Sequence, residues 1–160
     1  MLTINTERFL LRTLTVDDAS ERYLSWFQDV TTRQFIAQRA ESLAQLQQYI
    51  QEKEQASNCL FFGIFNEGEH LGNIKYEPID VVRREATMGI LIGDNAWRGK
   101  GVAGEVISAT AQYLSRHLAI DSILLGVEHE NVAAINAYRK LGFTLYKETS
   151  EGLYMRLGIC

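Results

Sequence analysis

The stretch "WRGKGVAGEV", residues 97–106, decides how this chain is read. After it, Val102, Val106, Thr110, Leu114 and Leu118 recur every fourth residue, with Ala103, Ile107 and Ala111 beside them. That is the stripe of an amphipathic helix. Helix starts favour carboxylate or hydroxyl caps, because their free N–H groups carry positive partial charge. This one instead gathers Arg98 and Lys100 among Gly99, Gly101 and Gly104. An anion resolves the conflict. Unpaired N–H groups attract it, glycines let the backbone come close, and the two cations add charge-assisted contacts. Taken alone, the same letters also fit surface charges on a tight turn.

A strand running into a glycine-rich loop and then a helix is a usual place for a phosphate. The P-loop pattern needs Gly-Lys-Ser/Thr, and Lys100 is followed by Gly101 and Val102, so that pattern fails. The dinucleotide fingerprint matches by letters at Gly99, Gly101 and Gly104, with Asp121 as the distant acid. A preceding hairpin and the chain length count against that fold.

The bulk properties are those of one domain spanning residues 1–160. The chain has 46% hydrophobic residues, one proline and a net charge of −4. It has no linker-like tract or internal repeat, and it lacks the basic footprint of a nucleic-acid binder. No run approaches the roughly 20 apolar residues of a membrane helix, and the N-terminus lacks a signal-peptide core. Cys59 and Cys160 have no metal-type spacing, and the expected compartment is the cytoplasm.

Outward from the loop, "RFLLRTLTVDDA" reads as a strand and an acidic helix start. Residues from about 17 to 29 and about 42 to 55 read as helices, Ser42 capping the second. "NCLFFGIFNEGEHLGNIKYEPID" reads as a hairpin turning at "NEGE". In "REATMGILIGD" the even positions are apolar, while Thr87, Gly89, Leu91 and Gly93 make the other face mostly small. "DSILLGVEHE" is a strand, "NVAAINAYRKLG" a short helix with Asn131 as cap and Gly142 as stop, and "FTLYKE" and "LYMRLGI" are closing strands. Val132, Ile135 and Tyr138 share one helix face by spacing. His70 reads as turn surface and His117 as a helix end. Strands in groups with interspersed helices predict one mixed α/β sheet with helices on its faces.

Arg98-Gly99-Lys100-Gly101-Val102-Ala103 resembles the Arg/Gln-x-x-Gly-x-Gly/Ala loop of the GNAT superfamily of acyl-CoA N-acyltransferases. "NVAAINAYRKLGF" is similar to the second signature of that family. "TERFLLRTLTVDDA" looks most like the branch of ribosomal-protein N-terminal acetyltransferases, which also holds enzymes for polyamines and amino sugars. The resemblance implies the GNAT fold, a mixed, mostly antiparallel sheet of about six to seven strands flanked by about four helices. It implies acetyl-CoA as co-substrate, no metal, and transfer to a primary amine by direct attack. Residues 98–104 would bind the coenzyme A pyrophosphate. Ile90, Leu91 and Ile92 would line the cofactor and offer a backbone N–H to the oxyanion, and Asn131 and Asn136 would contact the cofactor. Arg139 and Lys140 read as ordinary cations of a last helical turn.

Tyr138, seven positions after Asn131, matches the tyrosine that protonates the departing thiolate; core packing is the other reading of the same residue. The family's glutamate, five positions before the asparagine, is replaced here by Gly126. Glu128 has the same strand parity and is the substitute base, with Glu77, Glu85 or a water relay as alternatives; His129 has the opposite parity. The expected partner is a small-molecule or peptide amine, with no nucleic acid and no membrane. The oligomeric state stays open, a homodimer included. The rivals are a non-catalytic coenzyme A sensor and a dinucleotide-binding regulatory domain.

Overall fold

The computed structural model describes residues 1–27 and 40–159. Among them eight strands form one sheet: β1 (Thr3–Asn5), β2 (Leu10–Thr13), β3 (Leu60–Asn66), β4 (Glu69–Asp80), β5 (Glu85–Ile92), β6 (Ser122–Val127), β7 (Thr144–Glu148) and β8 (Leu153–Gly158). Their spatial order is β1-β2-β3-β4-β5-β6-β8-β7. Every neighbouring pair is antiparallel except β5 with β6. The helices are α1 (Glu21–Ser25), α2 (Leu43–Gln55), α3 (Val102–Leu118) and α4 (Val132–Lys140).

The mostly antiparallel sheet with its helices is the expected GNAT architecture, but it has one strand more than the sequence suggests. The extra strand is β1. Thr6 turns the chain back on itself: its N–H donates to the Phe9 carbonyl at 2.8 Å, and its hydroxyl accepts the Phe9 N–H at 3.0 Å. Three residues are too few for an alternating pattern to be visible. The first expected helix is also shorter in its described part. A 3-10 turn, Val16–Asp18, precedes α1, and Ser20 caps α1 by accepting from the Tyr23 N–H. Asp18 separates the two, taking both Arg12 Nη groups at 2.8 and 2.7 Å and the Thr15 N–H. Residues 28 and 29 of the expected helix, and Cys160, lie outside the described residues. Ser42 caps α2 as its sequence predicts.

Side chains of a strand alternate between faces, so the sheet has a core on each side. On one, Leu11, Phe62, Ile74 and Met88 pack against Val106 and Leu114 of α3. On the other, Phe61 and Phe65 pack against Tyr23, Trp26, Leu46 and Ile50 of the α1/α2 region. β5 serves both: Met88 points to the α3 side and Leu91 to the α1/α2 side. Thr110, the polar member of the α3 stripe, is buried and satisfied, since its hydroxyl lies 2.7 Å from the Tyr76 hydroxyl and 2.8 Å from the Val106 carbonyl. Tyr76→Phe removes one of these bonds and leaves Thr110 the other. The expected loss is about 1 kcal/mol, read from the urea midpoint. A loss several times larger would mean that the ring itself had moved. Among the described residues no helix is long and apolar enough to cross a membrane.

Candidate active site

β5 and β6 pair at Glu85–Ser122, Ala86–Ile123 and Thr87–Leu124, and there the ladder stops. Both strands continue. β5 stays bonded to β4 as far as Ile92, and β6 to β8 as far as Val127. A wedge therefore opens within the sheet. Each lip carries backbone groups that do not pair with the other lip, and such groups need a partner from elsewhere. On the α1/α2 side Gly89 and Gly126 give the lips no side chain of their own at these positions. Among the described residues a Cβ on Gly89 would meet nothing within 4 Å. Gly126 is exposed, and a Cβ there would lie 3.3 Å from the ring of Tyr154, its partner on β8.

The glycine-rich loop continues one lip. Beyond Ile92, Asp94 accepts the Ala96 N–H and starts a 3-10 turn, Asn95–Trp97. Gly99 and Gly101 follow at φ +73° and +77°, a region costly to other residues. Gly101 is the N-cap of α3 and carries no capping side chain. The N–H groups of Val102, Ala103 and Gly104 consequently have no intrahelical acceptor. Among the described residues, chain neighbours aside, no heavy atom stands within 4 Å of where a Gly99 Cβ would be. Open backbone, free donors and a helix N-terminus fit a phosphate. The two cations differ in setting. Lys100 is exposed, whereas Arg98 donates from Nε to the Ile92 carbonyl at 3.1 Å and ties the loop to β5. Gly104 has a packing reason: its Cβ would stand 3.1 Å from Leu141 Cδ2, at the end of α4.

Two residues that the sequence pattern did not single out join this loop. Glu105, in the first turn of α3, would repel an arriving anion. Its Oε2 accepts from the Thr6 hydroxyl at 2.6 Å and the Arg8 N–H at 2.8 Å, and its Oε1 from Arg8 Nε at 2.7 Å. Partial burial pushes the Glu105 pKa up, but these bonds outweigh it and hold the pKa below the usual carboxylate range. A carboxylate in the first turn of a helix that opens on glycines and cations was the available signal that a partner must exist.

On α4, Asn131 caps the helix, its side chain accepting from the Ala134 N–H at 3.4 Å. Tyr138 is largely buried and lies 5.6 Å, centroid to centroid, from Phe143. Burial pushes its pKa up to about 12. Among the described residues its hydroxyl has no hydrogen-bond partner. Ile135 is buried on the same helix, but Val132 is 58% exposed, so the three-residue face predicted from spacing is only two residues deep. Asn136, Arg139 and Lys140 are exposed.

The acids fall in different settings. Glu77 receives Lys53 Nζ at 2.6 Å and lies 3.9 Å from Lys75 Nζ, which holds it as a paired carboxylate. Glu85 sits at the closed end of the wedge, opposite Ser122. Glu128 is exposed just past the end of β6 and makes no ion pair among the described residues; its carbonyl accepts the Asn131 N–H. His70 is not turn surface. Its ring packs among Tyr23, Trp26 and Phe65, and its Nε2 lies 2.7 Å from Asn73 Oδ1. His129 Nε2 lies 2.8 Å from the Thr149 carbonyl, and His117 stacks near Tyr113.

Known proteins resemble this chain in sequence and in fold. The family model described as "Acetyltransferase (GNAT) domain" matches residues 8–144. An uncharacterized N-acetyltransferase p20 of Bacillus licheniformis is 27% identical over 148 residues, 89% of this chain and 83% of that protein. The spermidine N(1)-acetyltransferase of Escherichia coli K12 is 34% identical over 82 residues, 51% of this chain and 44% of that protein. The structure of RimL, a ribosomal L7/L12 alpha-N-protein acetyltransferase in complex with coenzyme A, superposes with a TM-score of 0.88 at 16% identity, covering 99% of this chain and 98% of that one.

Proposed function

The chain belongs to the GNAT family of acetyltransferases and is an N-acetyltransferase, and on that premise we propose that it moves an acetyl group from acetyl-CoA to a primary amine by direct attack. The observation that carries this reading is the wedge between β5 and β6, with a glycine-rich helix start at the end of one lip. Acetyl-CoA supplies the acetyl group already activated as a thioester. Residues 98–104 hold its pyrophosphate through the free N–H groups of α3 and the charge of Lys100, with Arg98 keeping the loop in place. The open edge of Ile90, Leu91 and Ile92 bonds the rest of the cofactor and directs a backbone N–H at the oxygen that gains negative charge. Asn131 and Asn136 flank the cofactor from α4. Tyr138 holds a proton for the departing thiolate.

The amine reaches the thioester from the α1/α2 side, where Gly89 and Gly126 give the lips no side chain of their own. A lysine-like amine is protonated at neutral pH, its reference pKa being about 10.4, so it must shed a proton first. Glu128 takes that proton, Glu77 being occupied by Lys53 and Glu85 standing at the closed end. Protein N-termini, polyamines and amino sugars are the acceptor classes this reading covers.

Two measurements test it. Calorimetry with coenzyme A, acetyl-CoA and NAD should show binding of the first two only; NAD binding instead would overturn the cofactor assignment. Thiol release should then appear with at least one amine among a peptide with a free N-terminus, spermidine and an amino sugar. For the base, Glu128→Gln is expected to lower turnover about tenfold, below the usual range of roughly 10²–10⁴-fold because water reaches the same proton. Glu77→Gln and Glu85→Gln should do less, and acetyl-CoA affinity should stay put in all three. The parent rate should rise with pH, and Glu128→Gln should need a higher pH for the same rate. Parental turnover in all three variants would assign the proton to water.

A further inference from the structure

Among the described residues, Arg8 is a cation that reaches the loop from a different part of the chain. It sits in the β1–β2 turn, 97 positions from Glu105, and its Nε closes the ion pair with that carboxylate at 2.7 Å. Only the Nε edge of the guanidinium is used there. Among the described residues the two Nη groups make no hydrogen bond. Among the described residues Nη2 is what a Cβ on Gly101 would meet, at 3.8 Å. The guanidinium also lies over two rings, its carbon 5.0 Å from the centroid of Phe9 and 5.9 Å from that of Trp97. The fork is thus held on one edge by a carboxylate and on its face by aromatics, with its remaining donors beside the N-cap of α3. A guanidinium presents several donors in a fixed plane that suits phosphate oxygens, and fixing that plane beforehand lowers the cost of using them.

We propose that Arg8 is a third cation of the phosphate site: it neutralises Glu105 through Nε and donates through its Nη groups to a phosphate held at Gly101. This rests on the reading of residues 98–104 as the coenzyme A phosphate site. The pairing explains why a glutamate is tolerated in the first turn of an anion-binding helix, because the cation that cancels it also serves the anion.

A cycle of variants separates the two roles of Arg8. Coenzyme A affinity is measured by calorimetry on the parent, Arg8→Gln, Glu105→Gln and the double variant, with circular dichroism and melting temperature alongside. The same proteins are titrated with S-acetylpantetheine, which lacks every phosphate. Arg8→Gln is expected to weaken coenzyme A about ten- to a hundredfold, the scale of a charged hydrogen bond. Glu105→Gln should bind as well as the parent or better. The double variant should remain about tenfold or more weaker than Glu105→Gln. S-acetylpantetheine affinity should be equal in all four. If the double variant binds coenzyme A like Glu105→Gln, Arg8 acts only by cancelling Glu105, and the direct contact is wrong. If Arg8→Gln does not fold, Arg8→Lys takes its place in the cycle. Lysine keeps a charge for Glu105 but loses the fork, so parental coenzyme A affinity in Arg8→Lys also overturns the proposal. A parent protein that binds coenzyme A no better than S-acetylpantetheine would instead overturn the loop assignment on which the proposal stands.

Discussion

Gly101→Val is expected to abolish measurable binding of acetyl-CoA while the fold persists. Gly101 holds φ +77°, and a β-branched residue there pays the left-handed penalty of about 1–2 kcal/mol. That alone destabilises but does not unfold a domain of this size. The larger effect is local. The new side chain would project toward Arg8 Nη2, 3.8 Å from the Cβ position, into the space a phosphate would fill. Relaxing the backbone to an ordinary φ would turn the first N–H groups of α3 away from the ligand. Several charge-assisted bonds are lost together, so the expected loss of affinity is at least about a hundredfold. Gly68→Val is the control. Gly68 has φ +81° in the β3–β4 turn, and among the described residues a Cβ there would meet nothing within 4 Å, so it carries the same backbone cost away from the loop. Both variants should lose similar stability by thermal melt, and only Gly101→Val should lose acetyl-CoA by calorimetry. Equal binding in the two would remove the anion from this helix start.

The parts of the fold visible in the sequence are those built from short-range pattern. The α3 stripe, the Ser42 and Asn131 caps and the turn at residues 66–69 each depend on residues within a few positions of one another. The buried members of α3, namely Val102, Val106, Ile107, Thr110, Ala111 and Leu114, all lie on the stripe the spacing selects, while its other members, Ala103 and Leu118, are partly buried. What escaped was set by distant pairing. The wedge between β5 and β6 exists because two strands part after three paired positions, and no local signal in either strand encodes that. His70 follows a turn and reads as surface, yet Tyr23 and Trp26 of the α1 segment and Phe65 of β3 close over it. Arg8 lies in a turn that sequence reading passed over, and only the folded β1–β2 hairpin brings it to Glu105. The small odd face of β5 was legible as room for a ligand. Its partner, bare Gly126 across the opening, was legible only as a missing acid.

Tyr138→Phe is expected to lower turnover by roughly 10²-fold, within the range of general acid–base effects, with acetyl-CoA affinity nearly unchanged. The substitution keeps the ring, which packs 5.6 Å from Phe143 and against the α3-side core, and removes only the hydroxyl. Because that hydroxyl has no hydrogen-bond partner among the described residues, its removal strands no buried group, and stability should change by less than about 1 kcal/mol. A core role therefore predicts almost no effect on rate, and a proton-donor role predicts a large one. The pH dependence adds a second distinction. Burial pushes the Tyr138 pKa up to about 12, and a phenol is a competent acid only below its pKa. In the parent, Tyr138 is protonated across the whole working range. The rate should climb with pH as the amine loses its proton and show no alkaline fall until pH approaches that value. In Tyr138→Phe the thiolate must leave unprotonated or take its proton from water. The climb should persist at a lower level, and the deficit should shrink with thioesters whose leaving thiol has a lower pKa, since such thiolates need less help. Parental turnover in Tyr138→Phe, or a deficit indifferent to the leaving thiol, would return Tyr138 to the core as a packing residue and leave the protonation of the thiolate to solvent.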